Sequence, residues 1–220
     1  MIQLIDVPTE RTTAATDLIL ALQTGLYTFF MYSDARFHTF RGYLWMGVFA
    51  GICTTSVLGT VAHGFMMKKR TNTILWQILT ATFSICYVLI ISVFVHDLTG
   101  PQGGMLALWV TGALGFALTV YCLKYPAFVP KIIYLGVGLG VLILGVVLWL
   151  VLVDKVPGYR AILGAMAASI AATAVEARQK FRLTLRWKFD HHSAYHALQF
   201  VANALFFAGA RGYFSAPSIL

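Results

Sequence analysis

Charge is the scarcest commodity in this sequence. Of its 220 residues only 11% are charged, and only eight are acidic. Soluble domains usually carry about a quarter charged residues. This chain is instead 59% hydrophobic, with a mean hydropathy of +0.78. The balance excludes an ordinary soluble domain and indicates an integral membrane protein. Cysteine pairing is lacking too: Cys53, Cys86 and Cys122 lie in or at the end of apolar runs, none with a CxxC partner. They read as buried free thiols and carry no information on redox compartment. The start of the chain has neither the basic stretch nor the short apolar run of a cleavable signal peptide, so the first span is expected to act as its own insertion signal. No span interior contains lysine, which argues against a retinal Schiff base. The net charge of +8 is expected to record basic cytoplasmic loops, with no role in nucleic-acid binding.

What the chain does have is long apolar runs. A span needs about 20 apolar residues. Seven runs qualify, at roughly 15–32, 43–66, 73–95, 104–123, 131–153, 159–177 and 192–213. The expected fold is therefore a single all-α domain, a seven-transmembrane helix bundle. Charged and turn-forming segments mark the breaks, among them Ser33-Asp34-Ala35-Arg36, Lys68-Lys69-Arg70 and Asp154-Lys155-Val156-Pro157-Gly158. The fifth run is rich in glycine (Gly136, Gly138, Gly140, Gly145), as in close-packed membrane helices. The longest connection, 178–190, carries five basic residues and is expected to form a short amphipathic helix on the membrane surface. Lys and Arg divide eleven to five between the two sides of such a bundle. That bias places the N-terminus in the cytoplasm and the C-terminus outside, with the plasma (inner) membrane as the expected location. Trp187 and Tyr213 fit interfacial anchors at the two ends of the last span.

Against this apolar background the histidines stand out. His192 and His196 are four residues apart, so a helix places both imidazoles on one face. Gln199 and Asn203 continue that face. His63, at the end of the second run, falls at similar depth on the same side. Three imidazoles with one open position form the ligand set of a catalytic zinc, and zinc-bound water can become a nucleophile near neutral pH. The competing reading is that each histidine simply bonds to a loop or a headgroup at the boundary. Two carboxylates accompany them. Asp17 is a candidate general base, or else a helix start that complements the helix dipole. Asp190 is a candidate to orient a liganding histidine, or else the N-cap of the last helix. Glu10 and Glu176 read as ordinary boundary charges.

The stretch Phe189-Asp190-His191-His192-Ser193-Ala194-Tyr195-His196-Ala197-Leu198 resembles the last-helix motif of the CREST superfamily. That group holds the alkaline ceramidases, the adiponectin/progestin receptors, the Per1-like proteins and related bacterial membrane proteins, and the likeness here is to a bacterial-type member. The seven-span layout and the histidine ending the second span are similar too. The resemblance implies zinc held by His63, His192 and His196, and hydrolysis of a membrane lipid amide or ester. Ser56 or Thr60 would then help hold the oxyanion. The chain departs from the family in two places. The family's serine four residues before the second-span histidine is Gly59 here. Its aspartate near the start of the third span is absent, the chain offering Asn72, Thr73, Trp76 and Gln77 instead. These departures bear on catalysis more than on metal binding. They favour, as the alternative, a receptor-like or accessory membrane subunit with a structural metal. A haem or pigment protein with axial histidines is a third possibility.

Overall fold

The computed structural model describes residues 3–125, 129–178, 180–184 and 187–215, with only the backbone described at 122 and 129–139. Cys122, Gly136, Gly138 and Arg186 therefore lie outside the described side chains. Seven α-helices account for most of the described residues: α1 (Pro8–Ser33), α2 (Phe40–Gly64), α3 (Lys69–Thr99), α4 (Pro101–Lys124), α5 (Val129–Leu152), α6 (Tyr159–Arg178) and α7 (His191–Ser215). Each contains one of the expected apolar runs or nearly all of it. Helix α1 opens on Pro8, whose missing N–H costs nothing in the first turn, and α4 opens on Pro101 after Gly100, whose φ of 87° turns the chain. Five helices, α1 to α4 and α6, are long and apolar enough to cross a membrane. Helix α5 is apolar from Gly140 to Leu152. Helix α7 is long enough, but its polar stripe lowers its hydropathy.

The basic connection departs from expectation. In place of an amphipathic helix it contains two short strands, β1 (Arg182–Thr184) and β2 (Lys188–Asp190), paired antiparallel with Arg182 opposite Asp190. The reason is legible in the residues. From Arg182 to Asp190 polar and apolar side chains alternate strictly, which is the period of a strand. The N-terminal segment is also tied down. Ile5 N–H donates to the Gly64 carbonyl at 3.0 Å, and Met66 N–H donates to the Gln3 carbonyl at 2.8 Å.

The helices close into a ring. Helix α1 packs on α2 and α7, α2 on α3, α3 on α5, α5 on α6 and α6 on α7, while α4 packs on α3 outside the ring. Helices α1 and α7 run parallel and are joined by polar contacts. Thr13 and Ser193 share a hydrogen bond at 3.2 Å, Thr16 Oγ1 lies 3.0 Å from His196 Nδ1, and Gln23 Nε2 donates to the Phe200 carbonyl at 2.9 Å. Such bonds hold membrane helices together where burial of apolar surface cannot, because lipid is as apolar as the core. Helices α6 and α7 approach closely at Gly158. A Cβ there would fall on the Gly209 carbonyl, and its φ of 83° also favours glycine.

One end of the ring is clamped by a buried ion pair. Arg41 of α2 donates to Asp97 of α3 through Nε and Nη2, at 2.7 Å to each carboxylate oxygen, and both side chains are almost wholly buried. The His96 ring and the Tyr159 hydroxyl of α6 bond to the same carboxylate. The Tyr213 ring of α7 covers the guanidinium at 3.6 Å. Four helices thus meet on one pair. Removing one member of a buried pair strands the other charge, at about 3–5 kcal/mol. Arg41→Met should therefore lower the unfolding midpoint in detergent sharply. The double variant Arg41→Met/Asp97→Asn should lose less than the sum of the two singles, and additive losses would contradict a coupled pair.

Candidate functional site

The opposite end of the ring gathers the acidic residues and histidines. Helix α1 brings Glu10, Thr13, Thr16 and Asp17, at spacings that share one helix face. Helix α2 ends on His63, α6 ends near Glu176, and α7 begins with His191, His192 and His196. Glu10, Asp17 and Glu176 and four of the chain's six histidines meet there. Asp6, Asp34 and Asp97 instead pair with arginine. Here the carboxylates pair with imidazoles.

Three pairings define the site. His63 Nδ1 lies 2.6 Å from Glu10 Oε2, and His192 Nδ1 lies 2.8 Å from Glu176 Oε1. His196 presents Nε2 to Asp17 Oδ1 at 3.5 Å, while its Nδ1 meets the Thr16 hydroxyl. In all three rings Nδ1 is engaged by a side chain from another helix, and the Nε2 of His196 is turned to Asp17. A partner on one ring nitrogen fixes the tautomer and aims the other. The His63 and His192 ring centroids are 6.1 Å apart, and Trp76 of α3 meets His63 edge-on at 5.5 Å.

Asp17 is the most deeply set of the carboxylates, with its side chain 8% exposed. Its Oδ2 is buried and has no hydrogen-bond partner among the described residues. An unpartnered buried carboxylate oxygen is costly. Gly59 makes room for it, since a Cβ at that position would stand 2.6 Å from Oδ2. A serine at 59 would occupy the space that the Asp17 carboxylate fills. Glu176 Oε2 and His191 Nδ1 are likewise buried without partners among the described residues. Glu176, His191 and His192 each offer one ligand atom within 4.8 Å of the others.

The remaining site candidates fall differently. Asp190, at the end of β2, accepts from both Ser193 N–H and Ser193 Oγ, at 3.0 and 3.1 Å. That is the geometry of an N-cap, so of its two readings the structure shows the cap. Ser56 is buried one turn deeper on α2, where its carbonyl accepts from Thr60 Oγ1. Among the described residues neither hydroxyl is seen to hydrogen-bond to a histidine or carboxylate of the cluster. Sequence reasoning missed Glu10, Glu176, Thr13, Thr16 and His191. A signal existed for some of these: Glu10, Thr13 and Asp17 repeat at three and four residues, on one face of α1.

The chain matches the profile of a family of unknown function, DUF6962, over residues 12–213. It belongs to that family. The DUF6962 match takes in every residue of the cluster except Glu10. No curated protein and no solved structure matches the chain.

The cap makes a pH-dependent contribution. Burial pushes the Asp190 carboxyl up, but the Ser193 N–H and hydroxyl outweigh it and hold the group below its ordinary value. The cap's stabilisation is then present above the unfolded carboxylate value, about 4, and is lost as pH falls through the lower folded value. Asp190→Ala should cost about 1 kcal/mol at neutral pH. The gap from the wild type, read from unfolding midpoints in detergent, should close as pH falls below about 4. A gap that persists in acid would show that the carboxylate is not the cap.

Proposed function

We propose that this chain is a zinc-dependent membrane hydrolase of a lipid amide or ester, similar in site and reaction to the ceramidase branch of the CREST superfamily. The single observation that carries the reading is the shared polarity of the three rings: His63, His192 and His196 each have Nδ1 engaged by a side chain of another helix, and His196 Nε2 lies 3.5 Å from Asp17 Oδ1. Three imidazole nitrogens beside a carboxylate with an unpartnered oxygen suit a catalytic zinc. Bound there, zinc would supply Lewis acidity, polarising an acyl carbonyl and making water acidic enough to attack it near neutral pH.

The chain's own residues divide the remaining work. Glu10, Glu176 and Thr16 hold the three rings in orientation. Asp17 takes the proton of the attacking water through Oδ2 and returns it to the leaving amine or alkoxide. Its buried setting keeps bulk water from competing. The exposed apolar flanks of α1, among them Leu18, Leu22 and Leu26, are the surface an acyl chain would follow from the bilayer. The eleven-to-five bias of Lys and Arg supports a seven-span arrangement in the plasma (inner) membrane, with the site beneath the cytoplasmic face. A cysteine placed in the β1–β2 ribbon should then react with an impermeant reagent only from that face.

A second reading is a non-catalytic receptor-like or accessory subunit with a structural metal. It is favoured by the start of α3, where Asn72 and Trp76 stand in place of a carboxylate and Trp76 packs on His63. Hydrolysis separates the two readings. Zinc-loaded protein should release fatty acid from a panel of lipid amides and esters, and Asp17→Asn should lower the rate at least a hundredfold while zinc is retained. Retained zinc with no release from any lipid would reject the hydrolase and leave the accessory subunit.

A further inference from the structure

Glu176, His191 and His192 form a second, shallower grouping that overlaps the deep triad at His192. Their ligand atoms already lie within 4.8 Å of one another. The His191 and His192 rings are 4.1 Å apart. His191 Nδ1 and Glu176 Oε2 are buried without partners among the described residues. Two nitrogens and a carboxylate at this spacing suit a divalent transition metal of the zinc type. The grouping is also the more open of the two. Side chains of Glu176 and His192 are 33% and 40% exposed, against 13% for His196 and 8% for Asp17.

His192 belongs to both groupings. Its Nδ1 faces Glu176, while its ring is the neighbour of His63 across the deep site. One ring therefore joins a half-exposed chelate to a nearly enclosed one. An enclosed site pays a kinetic penalty, because an incoming ion must shed its water before the deep ligands can reach it. A chelate at the mouth that takes up the ion in steps removes that barrier. We propose that Glu176, His191 and His192 are a metal-entry position, which captures a divalent ion and passes it through His192 to the deep site with His63 and His196. This rests on the deep triad being the resting metal site.

Cobalt(II) tests it, since its visible absorption reports both uptake and ligand set. The full-length protein in detergent, stripped with chelator, is mixed with cobalt and followed in time. The wild type should end with about one cobalt per chain. His191→Ala should reach the same stoichiometry and spectrum at least tenfold more slowly, and Glu176→Gln should slow uptake by a similar factor. His63→Ala and His196→Ala should take cobalt up rapidly but hold it weakly, with an altered spectrum. Two conservative variants, His191→Gln and Glu176→Asp, check that slowed uptake does not come from misfolding. If His191→Ala loads at the wild-type rate while His63→Ala and His196→Ala lose tight binding, the entry position is wrong and the deep site stands. If His191→Ala and Glu176→Gln lose equilibrium binding and the deep variants keep it, the shallow grouping is the resting site. Both proposals then fail, as they do if the wild type takes up no cobalt.

Discussion

An ionisable side chain inside an apolar bundle must be paired or it is expelled, because removing a charge from water costs several kcal/mol even after relaxation. This constraint shapes the whole molecule. A chain with only eight acidic residues places few of them at random. At one end Asp97 is locked by Arg41, His96 and Tyr159, and four helices converge on it. At the other end Glu10, Asp17 and Glu176 face imidazoles. An arginine partner is always charged and makes a permanent clamp. An imidazole can be neutral and can give its nitrogen to something else. The first end is held by a permanent charge, and the second by partners that can be neutral.

The two ends are linked through α1 and α7. Their parallel interface is polar from Thr13–Ser193 through Thr16–His196 to Gln23–Phe200 and then turns aromatic at Tyr27–Phe207. In lipid these bonds fix the register of the pair. Register matters here because one turn of slip would carry His196 away from Asp17 and Thr16. Gly59 adds a second condition. Only a residue without a side chain leaves room for the Asp17 carboxylate against α2.

Much of this was readable in the residues. The seven helices follow from run length and punctuation, because a span must be long and apolar and its ends must reach water. The gathering of His63, His192 and His196 at one end follows from counting spans. Partnerships across helices were not readable. Glu10 and Glu176 look like boundary charges until α2 and α7 are laid beside them, and periodicity along one helix does not encode its neighbour. Asp190 carried two readings in sequence, and the bonds to Ser193 select the cap. Strands β1 and β2 form where basic charge and loop length suggest a surface helix, because strict alternation is the more local and stronger signal.

Metal content tests the central claim most directly. The protein, purified in detergent without chelator, would be analysed by mass spectrometry beside His63→Ala, His192→Ala and His196→Ala. One zinc per chain, lost in all three variants, would join α2 and α7 in a single centre. Zinc absent from the wild type, or retained when His63 is removed, would contradict a centre built across the two helices.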